Sequence, residues 1–215
     1  MFNRFFVTGT DTGVGKTEVS AALLSLMTKP FAFKPCESGG NEDSEALWRA
    51  GGAWQPQETV CLYRLKEPLA PLLAARAERK RIDWKKILSG FRALGKGPGV
   101  VEGAGGLFVP IDERHDVIDL ISATKLPVVL VARAGLGTIN HTTLSLQALA
   151  ERKIPVAAVV LSQAKRGREP SLPTNRPELE RRFPKLRFFG PVPFVAHADR
   201  RRALLAKTLA PLVEH

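Results

Sequence analysis

Residues 8–18, TGTDTGVGKTE, gather glycines, hydroxyl side chains and one lysine at a spacing suited to holding phosphate. The usual phosphate loop reads G-x-x-x-x-G-K-[ST]. Here the glycine that opens the loop is Gly9, one residue further from Gly15 than that pattern requires, and Thr10 stands in the expected place. The extra residue does no harm, because an anion nest is built by the positions just before the lysine. Backbone N–H groups of Thr12 to Thr17 can wrap an anion at a helix N-terminus, Lys16 can reach the β and γ phosphates, and the Thr17 hydroxyl can ligate Mg2+.

Mg2+ takes oxygen ligands, usually one or two carboxylates completed by phosphates and water. Glu102, in VEGAGG at the end of an apolar run, can supply one carboxylate, and Gly103, Gly105 and Gly106 leave room for a ligand to approach. Asp43, near the start of a helix-like stretch, is a second candidate, with Glu45 as its rival and a helix N-cap as the plainer role. Lys34 follows FAF and precedes Pro35, so it sits at a strand end where a fixed ammonium could stabilise a transferring phosphoryl group or an anionic intermediate. The histidines at 115, 141, 197 and 215 show no carboxylate or metal-ligand spacing and are read as structural.

These residues need a scaffold that brings strand ends together. RFFV at 4–7 reads as a strand, and residues 16–27 have helical apolar spacing, so the loop lies between strand and helix. FAFK at 31–34 reads as a second strand, with helices over 43–50, 72–81 and 84–94. The apolar runs at 100–106, 126–134, 154–162 and 187–193 fit strands buried on both faces, separated by helices over 116–124, 139–152, 176–183 and 199–213. A mobile loop is expected over 164–177, which holds Gly167, Pro170, Pro173 and Pro177. The pattern is α/β: a three-layer, doubly wound, mostly parallel sheet of the P-loop nucleoside triphosphate hydrolase type, with ligands at the carboxyl ends of its strands.

With 215 residues, 44% of them hydrophobic, the chain suits a single domain spanning 1–215. It holds no apolar run long enough for a membrane span and no signal-peptide pattern, so a cytoplasmic location without membrane contact is expected. Cys36 and Cys61 belong to no metal or disulfide pattern. The net charge of +11 is partly local, since residues 163–207 hold twelve Lys/Arg against four acids, including Lys165, Arg166, Arg168 and Arg200–Arg202. A solvated basic face accounts for this without a nucleic-acid partner.

In order along nearly the whole chain, FFVTGTDTGVGKT, FKPCESG, VVEGAGG, LPVVLVARAGLGTINHTTL and GPVP resemble the dethiobiotin synthetase family. The resemblance implies an ATP- and Mg2+-dependent cyclo-ligase acting on 7,8-diaminononanoate and CO2. One amine forms a carbamate, ATP phosphorylates it, and the second amine attacks the mixed anhydride to close the ureido ring. It also implies residue roles. Gly13, Val14, Gly15, Lys16, Thr17 and Glu18 would hold the triphosphate, as would Glu102, Gly103, Ala104 and Gly105. Thr12 would lie near the carbamate, Lys34 would be catalytic with Lys16, and Ser38 would touch substrate. Thr17, Asp43 and Glu102 would bind the metal, the gapless match of DSEALWRA favouring Asp43 over Glu45. Gly137, Thr138, Ile139 and Asn140 resemble a segment that receives the substrate's carboxylate tail from a neighbouring subunit, which implies a homodimer.

Departures from the family pattern bear on selectivity. Gly13 replaces an acidic residue, EPLAP at 67–71 replaces a polar stretch near the diamine, and Ser162 and Gln163 stand where an Asn-Asp pair reads adenine, with Pro193 a further cofactor contact that the resemblance implies. The rival reading is a partition ATPase that binds DNA. Such proteins carry a signature lysine five residues before the loop lysine, and that position here is Asp11.

Overall fold

The computed structural model describes residues 3–213 except Ala164 and Arg168, so Arg168 of the basic segment, His215 and part of the expected 164–177 loop lie outside the described residues. The first half of the chain runs β1 (Arg4–Gly9), α1 (Lys16–Ser25), β2 (Phe31–Phe33), β3 (Cys36–Ser38), α2 (Glu42–Ala50), α3 (Gln57–Val60), β4 (Tyr63–Leu65), α4 (Pro71–Ala77) and α5 (Trp84–Ala93). The second runs β5 (Gly99–Glu102), α6 (Val117–Thr124), β6 (Val128–Arg133), α7 (Thr138–Glu151), β7 (Val156–Ser162), α8 (Leu172–Arg182), β8 (Phe188–Val192) and α9 (Ala198–Val213).

Six strands form one sheet in the order β2-β5-β1-β6-β7-β8, every pairing parallel. The registers Val7↔Glu102 and Gly9↔Val131 align the ends of β5, β1 and β6. The phosphate-loop candidate and Glu102 therefore emerge side by side.

Alternate strand residues feed two cores. Phe5 and Val7 pack with Val19, Leu23, Leu47, Leu205 and Leu209 on the α1/α2/α9 face. Phe6, Val101 and Leu130 pack with Ile87, Ile118, Leu146 and Leu179 on the α5–α8 face. A strand covered on both faces has no polar side to show, which is why these sequences are continuously apolar. Helix α1 is not the one-sided helix its spacing suggested. Val19, Ala21, Ala22, Leu23 and Leu24 are all buried, because α2 and α9 flank it where it lies on the sheet.

Other expectations are corrected by local chemistry. The helix expected over 72–81 starts at Pro71 and ends at Ala77. The expected 164–177 loop is shortened, since α8 already begins at Leu172. Pro173 occupies its first turn, where the missing N–H would have had no partner, and Pro177 lies within it. Neither α3 nor a second, two-stranded parallel sheet was expected, in which β3 pairs with β4 through Cys36↔Tyr63 and Ser38↔Leu65. Among the described residues no helix is long and apolar enough to cross a membrane.

Candidate active site

Helix α1 starts from Gly15 at φ 98, a left-handed conformation that glycine adopts without penalty. A Cβ there would also come within 3.0 Å of Ser162 Oγ. No side chain caps this helix start, so its first N–H groups remain available to an anion. Lys16 Nζ curls back to donate to the Asp11 carbonyl at 3.1 Å. Burial lowers the pKa of Lys16, and the nearby Glu102 carboxylate only partly opposes this.

Beside the loop, one buried ammonium meets two carboxylates. Lys34 Nζ donates to Glu102 Oε1 at 2.6 Å and to Asp43 Oδ2 at 2.8 Å. Glu102 is wholly enclosed and also accepts from Thr17 Oγ1 at 3.1 Å and Ser20 Oγ at 2.6 Å. Burial alone would depress Lys34, but the charges of Glu102 and Asp43 outweigh it and hold the pKa above the ordinary lysine value. Burial likewise pushes Asp43 upward, and the Lys34 charge overcomes this, leaving its carboxyl below the usual range. Glu45 turns elsewhere, to Arg49 Nη2 at 3.1 Å and to the Asn41 side chain.

Asp43 is held in place by a residue that sequence reasoning did not assign. The buried Glu37 carboxylate, at the centre of β3, accepts from the backbone N–H of Asp43 at 2.8 Å and of Ser44 at 3.1 Å. It caps α2 from a neighbouring strand while Asn41, at the N-cap itself, makes no side-chain cap. Burial raises the pKa of Glu37 against these hydrogen bonds. A carboxylate two residues after Pro35 was the available signal, but nothing local tied it to α2.

A cavity of about 650 Å³ joins these groups. Thr12, Gly13, Lys16, Thr17, Glu18, Lys34, Ser38, Asp43, Ala104 and Gly105 line it, and Pro68, Leu69, Ala70 and Pro71 form an apolar wall. The oxygen-only set of Thr17, Asp43 and Glu102 suits a hard cation such as Mg2+ that keeps water and phosphate ligands. Among the described residues no group of three or more His, Cys, Asp or Glu forms a complete metal cage, and Mg2+ seldom uses one.

Residues 3–203 match a family described as an AAA domain. An ATP-dependent dethiobiotin synthetase from Anaeromyxobacter dehalogenans is 45% identical over 186 residues, 82% of this chain and 83% of the relative. Another, from Paramagnetospirillum magneticum, is 40% identical over 209 residues, 96% of this chain and 93% of the relative. The chain belongs to the dethiobiotin synthetase family. A solved nucleotide-binding protein in complex with ADP from Archaeoglobus fulgidus shares the fold at a TM-score of 0.51, with 15% identity, covering 94% of this chain and 86% of its own.

The remaining residues implied by resemblance to dethiobiotin synthetases fall into three places. Val14 is buried in the α1-side core and Gly103 packs toward Phe6 and Val117, so both shape the loops without facing the cavity. Gln163 and Pro193 line a separate cavity of about 490 Å³, and Ser162 is buried behind it. Gly137, Thr138, Ile139 and Asn140 line neither cavity. Thr138 is buried against Thr142, whereas Asn140 is exposed between Leu136 and Leu144, which are 80% and 57% exposed.

Sequence reasoning also passed over Arg201 as one of three consecutive arginines. It is buried, and Arg200 is exposed. Its phase was legible: Leu205, Leu209 and Leu212 form the buried stripe of α9, and Arg201 continues that stripe one turn back. Asp11, where the rival family carries lysine, is engaged with Arg133 at 3.3 Å.

Proposed function

We propose that the protein is an ATP-dependent dethiobiotin synthetase, a cyclo-ligase of biotin biosynthesis that works in the cytoplasm as one domain spanning 1–215. The convergence of Asp43 and Glu102 on Lys34, beside Lys16 and Thr17, carries this reading. The reaction joins CO2 to one amine of 7,8-diaminononanoate as a carbamate. ATP phosphorylates the carbamate, and attack by the second amine closes the ring and expels phosphate. Such chemistry asks for positioning and charge neutralisation and needs no protein nucleophile.

Lys16 and the backbone of residues 13–18 hold the triphosphate, together with the 102–105 turn. Thr17, Asp43 and Glu102 hold Mg2+, which supplies further neutralisation of phosphate charge. Lys34, tied to Asp43 and Glu102 until they take the metal, would then stabilise the charge developing on the transferred group, and its burial strengthens that contact. Thr12 lies near the carbamate and Ser38 contacts the diamine. The wall of Pro68 to Pro71 suits the aliphatic part of the substrate better than the polar stretch it replaces.

The functional unit is a homodimer in which the start of α7 receives the carboxylate tail of the substrate held by the other subunit. Leu136, Asn140 and Leu144 recur every four residues along one exposed face, which supports a covered surface there. Light scattering should give twice the chain mass, and Leu144→Glu should halve it.

The deciding assay supplies ATP, Mg2+, bicarbonate and 7,8-diaminononanoate, and follows phosphate release and product mass. Diamine-dependent release with dethiobiotin formed is expected. Release indifferent to the diamine but raised by DNA would overturn the reading in favour of a partition ATPase. The engagement of Asp11 with Arg133, where that class needs lysine, argues against this alternative.

A further inference from the structure

Three donors converge on the Glu102 carboxylate, and they divide its two oxygens between them. Thr17 Oγ1 and Lys34 Nζ donate to Oε1 at 3.1 and 2.6 Å, and among the described residues only Ser20 Oγ donates to Oε2, at 2.6 Å. Thr17 and Ser20 stand three residues apart on α1, a spacing that puts two side chains on one face of a helix. Thr17 and Lys34 line the main cavity, whereas Ser20 is wholly enclosed and does not.

The three donors differ in what the proposed function, on which this inference rests, asks of them. Thr17 would turn its oxygen to Mg2+, and Lys34 its ammonium to the transferred group. Ser20 has no such task. Enclosed where α1 packs against the end of β5, it can stay on Oε2 while the other two donors turn away. It is then the group that fixes the plane and tilt of the carboxylate, with Oε1 left facing Thr17 and the cavity.

How firmly a carboxylate is aimed matters more to some cations than to others. Mg2+ demands near-ideal octahedral geometry at about 2.0–2.1 Å, while Ca2+ accepts one or both carboxylate oxygens at about 2.3–2.6 Å in flexible arrangements. A carboxylate pinned by a short, buried hydrogen bond suits the demanding ion, and a loose one suits the tolerant ion. We propose that Ser20 is a positioning residue for Glu102, and that by fixing its carboxylate it makes the site prefer Mg2+ to Ca2+.

The test is calorimetry, without diamine, of the β,γ-methylene analogue of ATP binding with Mg2+, with Ca2+ and with neither. Wild type should bind the analogue more tightly with Mg2+ than with Ca2+. Ser20→Ala should lose about tenfold or more of the tightening by Mg2+, the scale of losing the partner of a metal ligand, and less than about threefold of that by Ca2+. Ser20→Cys keeps nearly the size of serine but donates only weakly, so it serves where the alanine variant does not fold by circular dichroism. A wild type that does not prefer Mg2+, or a Mg2+-to-Ca2+ ratio unmoved in a folded variant, would overturn the proposal while leaving the proposed function standing. Analogue binding indifferent to both ions would bring down the metal site with the proposal, and no analogue binding at all would bring down the proposed function as well.

Discussion

The two ends of the proposed nucleotide cleft handle buried charge in opposite ways. At the phosphate end, Lys34 faces Asp43 and Glu102, ionised groups on separate elements whose partnership can be exchanged for metal and phosphate. At the other end, Arg201 faces mainly neutral backbone carbonyls and a hydroxyl, which it ties together into one wall. Charge matched by charge serves a reaction in which charge moves. Charge matched by dipoles holds a wall in one shape.

Substitutions can break this contrast, starting with the largest effect. Lys34→Ala should lower kcat by about 10² to 10³-fold, the scale of losing one preorganised donor, while ADP affinity by calorimetry stays within about threefold. Equal losses in both would make Lys34 a binding group and erase the distinction. Glu102→Gln leaves Lys34 buried with only Asp43, and should cost about 3 kcal/mol in urea unfolding, as breaking a buried pair does. It should also raise the Mg2+ concentration for half-maximal activity. An unchanged Mg2+ titration would remove Glu102 from the ligand set.

A smaller effect sharpens the comparison at one remove. Glu37 touches Asp43 only through its backbone N–H, so Glu37→Gln, which puts a donor where an acceptor is needed, should raise the Mg2+ requirement by about tenfold. The kcat at saturating Mg2+ should change little, and Glu37→Asp should recover part of the loss. The smallest effect is one of pH. Lys34 is held above its ordinary value, so its stabilising contribution is complete below the unfolded lysine pKa near 10.4 and fades only as pH rises beyond it. The stability difference between wild type and Lys34→Ala should therefore be flat between pH 6 and 9.

Much of the phosphate end was legible because it is built from local signals: a glycine loop between strand and helix, a carboxylate ending an apolar run, a lysine before proline. Parallel register then did the assembling, through Val7↔Glu102. The other end was legible only in part. Ser162 and Gln163 stood out by resemblance, yet their partner Arg201 lies far along the chain inside a basic run that reads as solvated surface. Strands β3 and β4 have three residues each, too few to show alternation, and so the position of Glu37 was hidden too. Pro173 misled in the other direction, because a helix tolerates proline in its first turn.

Helix α1, enclosed by the sheet, α2 and α9, also sets where this molecule can breathe. Amide hydrogens in its buried middle, from Val19 to Leu24, can reach solvent only if both flanking helices let go, so deuterium should enter them at the rate of global unfolding. The proposed phosphate grip at the start of this helix would thereby be rooted in the slowest-exchanging part of the protein. Adjustment to a bound nucleotide would fall to the 68–71 wall on the cleft's flank.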